Sequence, residues 1–299
     1  MFRKTIKDLL KLSASPPNII YPLPLVPTLI FSFSNNKNIF NLIYLILLSS
    51  IYYAGINLWN HVNDVEEDRL IGRTNILIES HRIRVFTAIL SIFLYFISLF
   101  LLIIKIVDSR GIIFYIIVFI LTWLYSDRVI FGRYIGRLKN HYITEFLAFA
   151  ISIPSYTLML WCVVSKITIR AVFVALCVTS LMLSGTFLKD MKDITGDELA
   201  GLKTLAVVFD PKKLLKLFYV GMWIYYIIII FAISTSIFNV ISAIAVIPIF
   251  ALIYTTYKTR KNHWEINETT VKYIKITVCS SVLSIFLLTL SGFLSPTWC

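Results

Sequence analysis

Charged residues are scarce in this sequence: they make up 15% of the 299 residues, whereas 58% are hydrophobic. A soluble domain has about a quarter of its residues charged and roughly half apolar. A globule of this size cannot bury so much apolar surface, but a bilayer accepts it where helices satisfy the backbone hydrogen bonds. The composition therefore excludes an ordinary soluble domain and predicts an all-α, polytopic membrane bundle.

Cysteine is also rare, and no two of the four cysteines have CxxC spacing, which excludes a zinc site or a disulfide framework of familiar pattern. Residues 1–15 contain no apolar run of the length that a signal peptide needs. Their apolar side chains instead fall on one helical face, with the basic residues opposite. We expect a short helix that lies in the membrane interface.

Nine apolar runs follow, and none of the intervening loops is long enough for a soluble domain. We therefore expect one integral membrane domain over residues 1–299, with about nine transmembrane helices. The runs cover residues 19–34, 39–59, 85–104, 111–126, 143–165, 168–188, 214–233, 237–257 and 273–294.

The basic residues give the bundle an orientation. If all nine runs span, 23 of the 28 lysines and arginines lie on the side of the N-terminus, which by the positive-inside rule is cytoplasmic. The net charge of +12 is therefore explained by topology. We expect no nucleic-acid partner, and no feature of the sequence indicates a protein partner.

Acidic residues concentrate in two predicted cytoplasmic loops, at about 60–84 and 189–213, which hold ten of the sixteen. Asn60, Asp64 and Asp68 repeat every four residues, so they share a face if the helix continues through them. Three further aspartates repeat at i, i+3 and i+7 and share a face in the same way: Asp190, Asp193 and Asp197.

Carboxylates stacked on one helical face repel each other, unless a cation binds between them. Oxygen ligands favour a hard ion such as Mg²⁺, which completes its coordination with water and substrate phosphate. Basic residues interleaved with the acids would bind the same phosphates: Arg69, Arg73, Lys189, Lys192 and Lys203. The alternative is a solvated charged loop that only separates helices.

Both acidic rows resemble the motifs of the UbiA superfamily of membrane prenyltransferases. In the first motif an Asn is followed by Asp at four and eight residues, here Asn60, Asp64 and Asp68, with Arg73 and Thr74 beyond. The second runs here from Lys189 to Leu205 and is similar to the archaeal ether-lipid and quinone branches. It matches at Lys189, Asp190, Asp193, Gly196, Asp197, Gly201, Thr204 and Leu205.

The resemblance implies a lateral cavity open to the bilayer, in which two Mg²⁺ ions bind the diphosphate of an allylic prenyl donor. The implied catalytic carboxylates are Asp64, Asp68, Asp193 and Asp197, and the implied metal ligands add Asn60 and Asp190 to these four. The acceptor is expected to be a membrane-associated quinone precursor or glycerol-based lipid. The implied diphosphate-binding residues are Arg73, Lys189, Lys203, Arg128 and Lys139.

The sequence departs from the family pattern in three places. Ser15-Pro16 replaces an early Arg-Pro, and the first motif continues from Asn75 without the usual Arg-Pro-Leu-x-Ser-Gly phrase. The family's Tyr-x-x-x-Lys becomes Tyr125 followed by Ser, Asp, Arg and Val, so the missing lysine is replaced by another basic residue nearby: Arg128, Arg133, Arg137 or Lys139. Tyr125 is a candidate substrate contact, His61 a candidate ligand or base, and Glu145 a helix cap.

Two other functions are compatible with the same features. A UbiA-type terpene cyclase would bind the diphosphate in the same way but need no acceptor, so its product would form from the donor alone. An ion or metabolite transporter would carry carboxylates inside its spans, where this sequence has almost none.

Overall fold

The computed structural model describes residues 2–14, 23–35 and 37–294, without the side chains of residues 2–4, 190, 192 and 193. Within these ranges the chain is helical and no β-strand occurs. The α-helices are α1 (Phe2–Ser13), α2 (Leu25–Phe33), α3 (Ile39–Asn63), α4 (Val65–Leu70), α5 (Ile76–Glu79), α6 (His81–Lys105), α7 (Arg110–Ser126), α8 (Gly132–Ile135), α9 (Tyr142–Val164), α10 (Ile169–Leu199), α11 (Leu205–Val208), α12 (Pro211–Ser234), α13 (Ile249–Lys261) and α14 (Glu268–Leu294).

Seven segments of the described chain are long and apolar enough to cross a membrane: α3, α6, α9, the first part of α10, α12, the stretch Val240–Lys261, and α14. They correspond to seven of the nine predicted spans. The run 111–126 forms the shorter apolar helix α7, and the run 19–34 begins outside the described residues. The all-helical membrane fold is thus confirmed, whereas nine spans and a cytoplasmic N-terminus remain predictions.

Helix α6 shows how the bundle faces lipid. Four phenylalanines on its outer face are more than half exposed: Phe86, Phe93, Phe96 and Phe100. Small or hydroxyl-bearing residues face inward, and the buried Ser91 donates a hydrogen bond from its Oγ to the carbonyl oxygen of Gly55 on α3 (2.8 Å). Small interface residues allow membrane helices to approach closely, so α3 and α6 form a tight pair.

The bundle closes on itself through α2. Helices α3 and α6 pack together, as do α7 and α9, α9 and α10, α10 and α12, and α13 and α14. Helix α14 then packs against α2, which also contacts α3, α9 and α10. The amphipathic α1 packs on α3, and Asn57 Nδ2 donates a hydrogen bond to the Ser13 carbonyl oxygen (2.8 Å). The helix contacts thus run from α3 round to α14 and return to α3 through α2.

The predicted span 237–257 is not one continuous α-helix. A 3-10 segment over Val240–Val246 precedes α13, which begins after Pro248. Proline has no backbone N–H and cannot continue the i to i−4 hydrogen-bond ladder. The span therefore changes from a 3-10 helix to an α-helix next to Pro248.

Candidate active site

The first acidic row keeps helical register although α3 ends at Asn63. The backbone N–H of Asp64 donates to the Asn60 carbonyl, and that of Asp68 donates to the Asp64 carbonyl, both at 2.9 Å. Because these are i to i−4 bonds, Asn60, Asp64 and Asp68 lie one above another, as their spacing predicts. The backbone hydrogen bonds across the junction of α3 and α4 therefore keep these three residues on one face.

Residues at the end of α7 contact the helical turn that carries Asn60. Trp59 and Trp123 stack with their ring centroids 3.9 Å apart, and Trp59 Nε1 donates to the Trp123 carbonyl oxygen (3.2 Å). One turn further, the buried Ser126 donates from Oγ to Asn60 Oδ1 (2.7 Å). No sequence pattern predicts this contact, because Ser126 and Asn60 are 66 positions apart.

A turn after α7 is organised by the fully buried Asp127. Its carboxylate accepts the backbone N–H groups of residues 129 to 132 at 2.7 to 3.4 Å. Burial alone opposes ionisation, but these backbone donors outweigh it, so the pKa of Asp127 lies below its usual range. Asp127 therefore fixes the path of the chain toward Arg137 and Lys139.

We expect Asp127→Asn to destabilise the protein by about 2 kcal/mol, because the amide offers one acceptor oxygen where the carboxylate uses two. The matched control is Asp210→Asn, since Asp210 caps α12 through Oδ1 alone (2.6 Å to Lys212 N) and asparagine preserves that cap. Apparent melting temperatures in detergent measure both variants. Equal losses in the two would contradict the assigned role of Asp127.

Three basic residues of the loop after α7, Arg128, Arg137 and Lys139, pair with the acids of the first motif. Glu67 accepts from Arg128 Nη2 (2.8 Å) and Arg137 Nη2 (2.7 Å), with Lys139 Nζ at 3.8 Å. Lys139 Nζ also donates to Asp64 Oδ1, and Arg128 pairs with Glu66 as well. The loop 127–140 is therefore a third component of the site, beside the two acidic loops.

Glu67, Arg137 and Lys139 are the buried members of this network. Burial by itself raises the pKa of Glu67, but Lys139 and Arg137 outweigh that effect and lower it below its usual range. Among the described residues, Glu67 Oε2 and Arg137 Nη1 have no hydrogen-bond partner, although Arg137 Nη1 lies 3.8 Å from Asp64 Oδ1. Spare hydrogen-bonding capacity thus remains beside Asp64.

Asp68 is held within its own loop. Its Oδ1 accepts from Arg73 Nη1 (3.2 Å) and its Oδ2 from Asn75 Nδ2 (3.3 Å), while Asn75 caps α5. The Arg73 side chain is 57% exposed, whereas that of Asp68 is 10% exposed. The guanidinium therefore has solvent access from which it can reach a bound anion.

The second motif occupies the end of α10 and the turn after it. Helix α10 continues to Leu199, so positions 190, 193 and 197 share a helical face, although the side chains of Asp190 and Asp193 lie outside the described residues. Asp197 Oδ2 accepts from Thr204 Oγ1 (2.9 Å), and the turn reverses at Gly201 with a φ of 69°. That left-handed conformation is costly for other residues.

The turn is then pinned to the loop after α7. The Lys203 N–H donates to the Asn140 carbonyl (3.0 Å), and the Tyr142 N–H donates to the Lys203 carbonyl (2.7 Å). The Lys203 side chain itself is exposed. This backbone pairing holds Lys139 and Lys203 on neighbouring segments.

The two motifs meet directly. A Cβ added at Gly196 would lie 3.1 Å from the Ile71 side chain, so the second motif packs closely on the loop of the first. Helix α10 also contacts α4. Asp64 and Asp68 of one motif and Lys189 of the other act electrostatically on the half-buried His61. One site thus receives residues from both acidic loops.

Glu145 is not the cap of its own helix, which corrects the sequence interpretation. The His141 side chain caps α9 by accepting the Ile143 N–H (3.2 Å). Glu145 Oε1 instead accepts from the Tyr125 hydroxyl (3.1 Å), and Oε2 accepts from the Leu205 N–H (3.2 Å). Position in a helix does not reveal which distant N–H group a side chain will meet.

The donor chemistry fits a hard cation, because the predicted ligands are carboxylate and amide oxygens on faces that meet. Among the described side chains, no three of the His, Cys, Asp and Glu type form a group at metal-binding distance. Asp190 and Asp193, which complete the predicted set, are outside that search. Lys139 and Arg73 meanwhile balance the charge of Asp64 and Asp68.

Comparisons with known proteins agree with these motifs. Residues 22–276 match the model of the UbiA prenyltransferase family. An uncharacterized protein of Archaeoglobus fulgidus is 34% identical over 279 residues, which cover 91% of this chain and 93% of that protein.

Solved structures share the fold. A structure from work on digeranylgeranylglyceryl phosphate synthase in membranes superposes with a TM-score of 0.73 at 19% identity, and covers 98% of this chain and 100% of that one. A UbiA homolog from Archaeoglobus fulgidus bound to GPP and Mg²⁺ gives 0.63 at 17% identity, over 94% and 99% of the two chains. Because the family model spans most of the sequence, the chain belongs to the UbiA prenyltransferase family.

Proposed function

We propose that this protein transfers a prenyl group from an allylic prenyl diphosphate to a membrane-associated acceptor, with diphosphate as the leaving group and two Mg²⁺ ions as cofactors. The observation that carries the proposal is the packing of α10, which bears the second acidic row, on α4 and on Ile71 beside the first row. The proposal agrees with family membership and with the similarity to a homolog that binds GPP and Mg²⁺.

Asn60, Asp64 and Asp68 would hold one side of the metal site, and Asp190, Asp193 and Asp197 the other. Bound Mg²⁺ supplies positive charge that stabilises the departing diphosphate. The basic residues Arg73, Lys189, Lys203 and Lys139 bind the diphosphate oxygens. We rank Lys139 above Arg128, because Lys139 donates to Asp64, a proposed metal ligand, whereas Arg128 pairs with Glu66 and Glu67, which are not proposed ligands.

The bundle interior provides the second requirement, which is exclusion of water from an allylic cation. Tyr52 is fully buried and meets Tyr95 and Tyr115 edge-on at 5.5 and 5.6 Å. Aromatic faces attract cations, most strongly where water is excluded. We propose that the aromatic interior near Trp59 and Trp123 shields the reacting carbon, since these rings adjoin Asn60.

Lys139→Met is expected to raise the KM for the prenyl diphosphate about 10- to 100-fold. The reason is the loss of one hydrogen bond to a charged group, which contributes roughly 1.5–3 kcal/mol to binding. Lys212→Met is the matched control, because Lys212 is exposed and its ion pair among the described residues is with the exposed Glu265 (3.2 Å). Steady-state kinetics with saturating acceptor separate KM from kcat. An unchanged donor KM in Lys139→Met would remove Lys139 from the diphosphate site.

Mass spectrometry of products tests the function itself. Purified protein is incubated with prenyl diphosphates of several lengths, with quinone precursors or glycerol-based lipids, and with Mg²⁺ or EDTA. The expected result is an acceptor-linked product that forms only with Mg²⁺. A cyclised hydrocarbon formed without acceptor would identify a cyclase, and absence of any product across all pairs would reject the enzymatic proposal.

A further inference from the structure

Glu145 is a buried carboxylate that has no part in the proposed diphosphate chemistry. It lies in the first turn of α9 and is 2% exposed. Its two hydrogen bonds reach the end of α7 at Tyr125 and the start of α11 at Leu205, so it stands where three elements of the site meet. Leu205 closes the second motif directly after Thr204, the residue that binds Asp197.

Both groups that donate to Glu145 are neutral. Among the described side chains, no lysine or arginine lies within ion-pair distance of its carboxylate. The charged groups that act on it are Asp197 and Lys189, both on α10. Burial of a carboxylate without a paired cation is costly, and a glutamine could accept the Leu205 N–H at less cost.

The carboxylate also has unused capacity. Among the described residues each oxygen accepts one hydrogen bond, and a carboxylate oxygen has two lone pairs with which to accept. Tyr125 and the Leu205 N–H fix the plane of the group from two sides. A hydroxyl group that enters beside Asp197 would therefore find an oriented acceptor with a free lone pair.

We propose that Glu145 binds the hydroxyl group of the prenyl acceptor and takes its proton during transfer. This inference rests on the function proposed above. As the acceptor oxygen forms a bond to C1 of the prenyl group, the bond from C1 to the diphosphate oxygen breaks and its electron pair leaves with diphosphate. The hydroxyl proton moves to Glu145, which later releases it to water.

Two substitutions of opposite kind separate this role from a structural one. Glu145→Gln keeps the length of the side chain and the oxygen that accepts from Leu205, but it cannot take a proton. Glu145→Asp keeps the carboxylate but is one methylene too short to reach both partners. If Glu145 acts on the acceptor, Glu145→Gln lowers the kcat of transfer about 100-fold or more, and Glu145→Asp retains more activity than Glu145→Gln despite a lower melting temperature.

If Glu145 only ties the three elements together, the order reverses: Glu145→Gln has nearly wild-type kcat and Glu145→Asp is the impaired variant, which would overturn the inference. Stabilisation of Glu145→Gln by a prenyl diphosphate with Mg²⁺ is expected to equal that of the wild type, because donor binding does not involve the carboxylate. A lost donor shift would assign Glu145 to the donor site and also overturn the inference.

The acceptor class is resolved with two probes, a monoalkylated glycerol phosphate in liposomes and a hydroxybenzoate. We expect the Glu145→Gln defect with whichever probe the wild type prenylates at its hydroxyl oxygen. An analogue of that probe without the hydroxyl should bind more weakly than the parent to the wild type but equally to Glu145→Gln. Equal binding of probe and analogue to the wild type would refute the contact. A wild type that prenylates no probe would instead refute the proposed function.

Discussion

Asp64→Asn is expected to lower the turnover of prenyl transfer by two to three orders of magnitude while the protein remains folded. Asparagine preserves the shape of the side chain and can still accept a hydrogen bond from Lys139. It lacks the negative charge that holds a divalent cation. Loss of one strong electrostatic contact to a developing charge costs about 3 kcal/mol of barrier or more. Asp193→Asn is expected to behave alike, because the second motif is proposed to supply the ligands on the other side of the metal site.

Glu66→Gln is the matched control for Asp64→Asn. Glu66 lies two residues away, carries the same charge and is 70% exposed, with Arg128 as its partner. Its loss should change the stability slightly and leave the turnover close to the wild-type value. Single-turnover rates with and without EDTA complete the comparison. Full activity of Asp64→Asn, or activity that EDTA does not reduce, would contradict the metal assignment.

The membrane fold was largely accessible from the sequence, because the bilayer imposes a length on every apolar run. Residues 39–59 predicted the span that became α3, and the structure extends it only to Asn63. The 3-10 segment Val240–Val246 was not predicted, since hydropathy does not distinguish helix types. Pro248 indicates an interruption of the α-helix, but the length of an apolar run takes no account of proline.

The sequence predicts the arrangement of the candidate site only where its residues are close along the chain. The four-residue spacing of Asn60, Asp64 and Asp68 predicts one face, and the backbone bonds across Asp64 preserve it. The pairing of Arg137 with Glu67 spans 70 positions and follows from tertiary packing, for which a single sequence offers no periodic pattern. The sequence indicates Arg128, Arg137 and Lys139 of the loop after α7 as candidates, but it does not predict that they pair with Glu67 and Asp64.

The same limit explains the error at Glu145. An acid at the start of an apolar helix usually interacts with the N-terminal N–H groups of that helix. Here His141 already caps α9, so the carboxylate is available to the Tyr125 hydroxyl and to the Leu205 N–H on another element. His141 and Glu145 are four residues apart, so either could cap α9. Which of them does so depends on the position of α11, because Leu205 offers Glu145 another N–H group.

The two motifs are expected to act as one unit, which a double-mutant cycle measures. Asp68 is fixed by Arg73 and Asn75, whereas Asp197 is fixed by Thr204, so each can be removed without direct loss of the other's partners. If both carboxylates hold metal on the same diphosphate, either single change to alanine already disables the site. The double variant should then lose much less activity than the sum of the two single losses in free energy.

The control cycle pairs Asp68→Ala with Glu265→Ala, because Glu265 is exposed and contacts Lys212 away from either motif. These two changes should add within about 0.5 kcal/mol. A non-hydrolysable prenyl diphosphate analogue should raise the melting temperature of the wild type only when Mg²⁺ is present, by mass action on the folded state. The analogue should fail to do so in either single variant. Additive losses for Asp68 and Asp197, together with stabilisation that needs no metal, would mean two separate sites, and the prenyl-transfer mechanism would lose its basis.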